Sequence, residues 1–351
     1  MDQQQWQEFL SNQGAQWHDG AANFDAGDAS AELQLLDLSP LGAISISGPD
    51  SQKFLQGQLT CDLVNLPDAH LTLGAHCNPK GRMISAFHAL KISQSEFVLL
   101  MPADLVPVAL AALKKYAVFF KAELQDTSAE YHWFGLAGHD IGARASHLLS
   151  LSHGASTDLV PGQLIPFDHN GHRALAAMLS EHLVAIQVPD TQAADLWQQL
   201  AGSPATACSY NRWPQQLIAA GLPQLHAGTS ELFIPQMLNL HLLGAVSFKK
   251  GCYTGQEVVA RMQYRGAAKR RMYRARIDGG ALPAPGAEIF SSAGGSSIGN
   301  AVQACTADNE IELLAVLTKA KVTDGETLQL QDGRVLELLE LPYDADADPL
   351  A

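Results

Sequence analysis

A chain of 351 residues is long enough for two or three domains, and 47% hydrophobic against 17% charged residues excludes an intrinsically disordered polymer. The first residues, MDQQQW, have neither the basic start nor the apolar run of a signal peptide, and no uncharged apolar stretch reaches the roughly 18 residues that cross a bilayer. A cytoplasmic protein with no membrane partner is expected, and a net charge of −14 disfavours wholesale coating of nucleic acid.

Residues 1–32 are polar, with Gly and Ala and little period, which predicts a loosely attached arm. From 41 to 47, LGAISIS alternates like a strand; a Gly48-Pro49-Asp50 turn follows, and Phe54, Leu55 and Leu59 then fall at helical spacing. Residues 83–92 and 96–101 read as two strands, 103–116 as an Ala/Leu-rich helix with Lys114 and Lys115 in its last turn, and 121–125 as a further strand. The order β-α-β-β-α-β predicts a ferredoxin-like unit over residues 33–126.

A second, noisier unit spans 127–248, with strands at 133–137 and 182–188, helices at 141–151 and 191–201, and helical segments near 214–220 and 235–244. Beyond a basic segment at 249–271 the character changes to short strands and Gly-rich turns, ending in a hairpin that turns at Asp332-Gly333. That pattern predicts a small β-barrel over 272–343, followed by an acidic tail at 344–351. The fold class is α+β.

The charge is unevenly spread. Residues 249–276 hold nine basic residues and one acid, Glu257, a local +8 inside an acidic chain. Such a run is either a solvated face or an anion-binding surface for a polyglutamate tail, a phosphate or RNA. The five cysteines, Cys61, Cys77, Cys208, Cys252 and Cys305, form no Cys-x-x-Cys pair, and the nearest metal-like pairing is His76 beside Cys77. Neither a disulfide framework nor a metal site is expected.

One motif carries chemistry. In Phe248-Lys-Lys-Gly-Cys-Tyr-Thr-Gly-Gln-Glu257, Gly251 and Gly255 bracket a cysteine, with Lys249 and Lys250 just upstream. Thr254 and Glu257 have the spacing of a capping box opening a helix over 258–264, which sets Cys252 just outside a helix N-terminus. Helix N-termini and adjacent cations both favour a thiolate, so Cys252 is the candidate functional thiol, against the alternative that a cysteine simply packs.

Lys250, Gly251, Cys252, Tyr253, Thr254, Gly255, Gln256 and Glu257 together resemble the signature of the YgfZ family, folate-binding relatives of the glycine-cleavage T-protein. Phe54-Leu-Gln-Gly-Gln-Leu-Thr-Cys-Asp62, His76-Cys-Asn-Pro-Lys-Gly-Arg-Met83, Leu113-Lys-Lys-Tyr-Ala-Val-Phe119 and Phe233-Ile-Pro-Gln236 extend the resemblance over about residues 33–343. It implies a cloverleaf of two ferredoxin-like α/β domains and a barrel around a central hole that holds tetrahydrofolate. It also implies a cytoplasmic accessory protein whose partners are iron-sulfur enzymes, such as the radical enzymes that thiolate tRNA.

Departures from the T-protein pattern bear on activity. Its paired aspartates are matched here by Ser85 and Ala86, neither of which is a general base, and the carboxylate that anchors the pterin is matched by Ala219. What the resemblance leaves for folate is Trp213, with Leu41 at the matching first-domain position. The alternatives are a folate-dependent aminomethyltransferase, disfavoured by the missing carboxylates, and a direct tRNA-binding module using residues 249–276.

Overall fold

The computed structural model describes residues 2–24, 31–150, 158–202, 204–265, 268–307 and 310–347. Residues 25–30 of the expected arm, the end of the helix expected at 141–151, and residues 348–351 of the acidic tail lie outside them. Helices α1 (Gln3–Asn12), α2 (Ser51–Gln58), α3 (Val106–Ala117), α4 (Ile141–Leu148), α5 (Ala193–Ala201), α6 (Arg212–Ala219) and α7 (Gln256–Arg265) pack on three larger sheets. No helix among the described residues is long and apolar enough to cross a membrane.

The first sheet runs His70–Cys77, Met83–Ser93, Glu96–Pro102, Leu41–Ser47, Glu123–Asp126 in spatial order, antiparallel throughout. Four of these strands with α2 and α3 make the expected β-α-β-β-α-β unit, and His70–Cys77 is an added edge strand. Ile44, Ile46, Phe97 and Leu99 alternate onto the face that takes Phe54 and Leu55 of α2 and Leu113 of α3. Ala43, Val98 and Leu100 point the other way, toward the second sheet.

That second sheet is ordered Leu164–His169, His172–Ser180, Leu183–Pro189, Tyr131–Gly138, Leu33–Asp37, Thr206–Cys208. Leu33–Asp37, read from sequence as the start of the first unit, pairs instead with Tyr131–Gly138 and Thr206–Cys208. The sequence segment and the sheet therefore do not coincide. Nor are residues 2–24 a loose arm. Helix α1 has an Asp2–Gln5 capping box, and its buried Trp6 stacks on Phe134, meets Trp197 edge-on and donates through Nε1 to Asp37 Oδ1 at 2.9 Å.

The C-terminal strands form a curled six-stranded sheet, Leu328–Leu330, Glu288–Ser291, Gly299–Ala307, Glu310–Thr318, Arg270–Asp278, Glu337–Leu339. It is half-barrel-like, which meets the expected small β-barrel in part. Met272, Val302, Leu314 and Val316 of this sheet join the helix-side core of the first sheet through Phe233, Leu238 and Leu240. The segment leading into the motif is thus clamped between two sheets.

Candidate functional site

The four quoted sequence motifs other than 113–119 meet at one junction. Helix α2 ends at Gln58, and the carbonyls just past its end receive Lys250: its Nζ donates to Leu59 O at 2.8 Å and Cys61 O at 2.6 Å. A cation at a helix C-terminus is favoured by the dipole, and Lys250 also lies 5.3 Å from the Tyr253 ring centroid. Burial pulls the Lys250 ammonium down to about 8, opposed by Cys61 and Asp62. Further stitches hold the same loop: Ser247 N donates to Thr60 O, Thr60 Oγ1 to Ala245 O, and Lys250 N to Ser247 Oγ.

Two glycines set the other side. Gly255 has φ +83°, and a Cβ there would stand 2.5 Å from Asn78 O and 3.1 Å from Cys77 Cβ. Gly81, at φ +72°, likewise leaves only the space that Val258 fills. The motif loop therefore lies flat on the turn that joins His70–Cys77 to Met83–Ser93. Phe233 O accepts from Met83 N at 2.9 Å, and Gln236 Nε2 donates to Val259 O of α7 at 2.7 Å, which ties the fourth motif to both.

The expected capping box does not form. Helix α7 begins at Gln256, two residues before the expected start, so Gly255 rather than Thr254 precedes the first helical residue. Thr254 Oγ1 instead donates to Gln58 Oε1 at 3.4 Å, and Gln256 Oε1 accepts from Tyr253 N at 3.2 Å. Glu257 is an exposed first-turn acid.

Cys252 is exposed, whereas Cys61, Cys77, Cys208 and Cys305 are buried. Burial raises the Cys61 thiol to about 11 and those of Cys77 and Cys305 to about 12, which removes them from thiolate chemistry at neutral pH. Cys252 and Gly251 line one end of a groove of about 450 Å³ that runs along α2 past Gln52, Lys53, Gln56 and Gly57. Beneath the loop, His76 is buried with neither ring nitrogen hydrogen-bonded, and burial pulls it down to about 4; Ser85, directly opposite across the strands, is also buried with its hydroxyl unpartnered.

Leu41 and Trp213 do come together, in the apolar layer between the first two sheets, but both are buried there. Trp213 has no accessible surface, and Gly135 lies so close to its ring that a Cβ would stand 2.8 Å from it. It fills the core rather than presenting a stacking face. Ala86 is buried and Ala219 half-buried, each without a polar atom to offer.

The basic segment divides in two. Arg271 pairs with Asp346, Arg274 with Glu312 through two bonds of 2.7 and 3.0 Å, and Arg276 with both Glu310 and Glu337. Exposed Lys249 and Arg261 form no ion pair among the described residues. Sequence reasoning missed Gln58, Thr60, Asn78 and Gln236 as supports of the motif, because their partners lie far along the chain; the co-occurrence of the four motifs was the only available signal.

Residues 2–206 match the family model described as the GCVT N-terminal domain. The chain is 33% identical to the tRNA-modifying protein YgfZ of Klebsiella pneumoniae (strain 342), over 86% of each chain. It is 32% identical to that of Enterobacter sp. (strain 638), over 90% of this chain and 94% of the relative. Among solved structures, the glycine cleavage system aminomethyltransferase T from Bartonella henselae superposes with a TM-score of 0.76 at 17% identity, covering 96% of both chains, a likeness of fold.

Proposed function

This chain belongs to the YgfZ family, and from that premise we propose that it supports tRNA modification through the exposed thiol of Cys252. The observation that carries this reading is the division of labour in the motif. Lys250, Thr254, Gly255 and Gln256 are all spent on fixing the loop, and Cys252, the exposed one of the five cysteines, lies beside Gly251 at the end of a groove. A loop held from both sides around one accessible sulfur is a device for presenting that sulfur.

The clients we propose are iron-sulfur enzymes, tRNA-thiolating radical enzymes among them, since thiolate is the ligand type iron-sulfur clusters use. Tetrahydrofolate is the ligand that the family framework points to, and it meets a poor fit here. Trp213 has no free face, Ser85 is buried, and positions 86 and 219 carry no carboxylate. A pterin stacked on Trp213 would have to open the inter-sheet core. No step of the proposal runs through folate. The same residues weigh against aminomethyl transfer, which needs a carboxylate where Ser85 and Ala86 stand.

The test is selective chemistry on one sulfur. Brief treatment of the native protein with iodoacetamide should modify Cys252 ahead of the buried four, as read by peptide mass spectrometry. Added to an extract of cells lacking their own family member, the unmodified protein should restore tRNA thiolation and the Cys252-alkylated protein should not. Equal restoration by both would remove Cys252 from the function.

A further inference from the structure

Helix α3 ends in a surface that the family reading leaves unused. Val118 is 75% and Phe119 82% exposed, with Tyr116 half-exposed beside them. These side chains are not exposed because the backbone is loose. The adjacent Phe120 ring packs on Phe54 of α2 with centroids 5.4 Å apart, and Lys121 N donates to Asp50 Oδ2 at 2.9 Å while Lys121 O accepts from Asp50 N. A firmly held turn thus pushes an aromatic ring into water, at a cost in hydrophobic free energy.

Around it stand cations without partners. Lys114, Lys115, Lys121 and, on α2, Lys53 are exposed, and none forms an ion pair among the described residues. In this acidic chain, many other cations are paired, as in the Arg274–Glu312 and Arg173–Glu96 contacts.

A groove begins at Pro49, next to the Asp50 that holds this turn, and follows the solvent face of α2 for about 12 Å to Cys252. Gly57 lies in its floor. A glycine inside a helix costs about 1 kcal/mol relative to alanine, yet a Cβ at Gly57 would meet nothing within 4 Å, so no packing among the described residues demands it. Bare backbone in a groove floor leaves room for close approach by another molecule.

We propose that this face binds a single-stranded RNA loop. An unpaired base stacks on Phe119, Lys114, Lys115 and Lys121 meet the phosphates, and the strand follows α2 past Lys53 and Gly57 toward Cys252. An aromatic platform ringed by unpaired lysines is the chemistry of single-strand recognition, in which every base offers a π-face and every linkage a negative charge. A protein partner would call for a larger contiguous apolar patch than Val118 and Phe119 supply among lysines and glutamines. The choice of RNA over another polyanion rests on the tRNA-modification reading; the face itself does not.

The experiment is fluorescence anisotropy with a labelled RNA stem-loop and a blunt RNA duplex of equal length, at near-physiological salt. The full-length protein should bind the stem-loop more tightly than the duplex. Phe119→Ala should weaken stem-loop binding about tenfold and leave duplex binding unchanged. Replacing Lys114, Lys115 and Lys121 together by Gln should reduce the slope of log affinity against log salt by about 2. Gly57→Leu, which fills the groove, should also weaken the stem-loop complex. RNA binding by the parent protein is read without the thiolation assay, so failure of this proposal and failure of the thiol's function are distinguishable. No binding by the parent protein, equal affinity for stem-loop and duplex, or an unchanged Phe119→Ala would overturn the proposal. A photo-crosslinker at position 119 that attaches in cells to protein and not to RNA would also overturn it, and would give the face to a protein partner.

Discussion

The two ends of the basic segment are both positive in sequence and do opposite things in space. Residues 270–276 form a strand whose Arg271, Arg274 and Arg276 find acids on the neighbouring strands and near the C-terminus, so their charge is used up in the fold. Residues 249–261 form a loop and a helix start, where Lys250 is buried on two carbonyls and Lys249 and Arg261 are left to solvent. A run of positive charge in sequence is therefore not a patch until its partners are known. The strand half is a structural network, and the loop half frames the exposed thiol of Cys252.

The most damaging change to the loop half should be Gly255→Val. A side chain there meets Asn78 O and Cys77 at a positive φ, so a loss of about 3 kcal/mol in chemical denaturation is expected, together with faster alkylation of the buried cysteines. A loss below about 1 kcal/mol would mean the loop is not seated on the 78–81 turn.

Acid should separate the halves next. His76, beneath the loop, is held neutral in the fold with its titration moved from 6.5 to about 4, so the unfolded chain binds the extra proton first as pH falls. The stability His76 contributes is whole above pH 6.5 and is lost progressively down to pH 4, on the order of 3 kcal/mol. His76→Phe should take its share out of that part of the pH–stability curve, leaving the share of His88 and His241, which burial also pulls down to about 4. The strand half behaves otherwise: Arg276 holds Glu337, and Arg271 holds Asp346, below the ordinary carboxylate range, so its contribution persists until the pH falls through that range. If His76→Phe leaves the slope between pH 6.5 and 4 unchanged, the burial of this ring is not what makes the loop half acid-sensitive.

Lys250→Met keeps the stem and leaves Leu59 O and Cys61 O without their donor, for a loss of about 2 kcal/mol in urea unfolding. It should also raise the mobility of Cys252, visible as a broadened spectrum from a spin label at that thiol. Smaller still, Arg274→Gln removes one half-buried pair and should cost about 1 kcal/mol. Lys249→Gln should change stability by less than about 0.5 kcal/mol. Should Lys249→Gln prove as costly as Arg274→Gln, the contrast between the halves would fail.

Much of the first unit was legible because its elements are periodic: 41–47 alternates, 51–58 and 103–116 carry helical spacing, and the β-α-β-β-α-β order followed. The edge strand His70–Cys77 was not, since its mixture of His, Gly and Thr shows no clean alternation. Helix α1 was missed because only Trp6 and Leu10 of its Gln-rich sequence are buried, and the value of Trp6 lies in Phe134, Trp197 and Asp37, far along the chain. At the site, the cysteine and its glycines could be read locally, whereas the role of Lys250 could not, because its acceptors lie about 190 residues earlier. Trp213 shows the converse: a tryptophan reads equally as platform or core, and only the close approach of Gly135 decides.

The most direct measurement is complementation of cells lacking their own family member, with tRNA thiolation quantified by mass spectrometry and the purified variants melted in parallel. Cys252→Ala should melt within about 2 °C of the parent and restore no thiolation above the empty-vector level, while Arg276→Gln should restore it fully. Full restoration by Cys252→Ala at normal protein abundance would contradict the account.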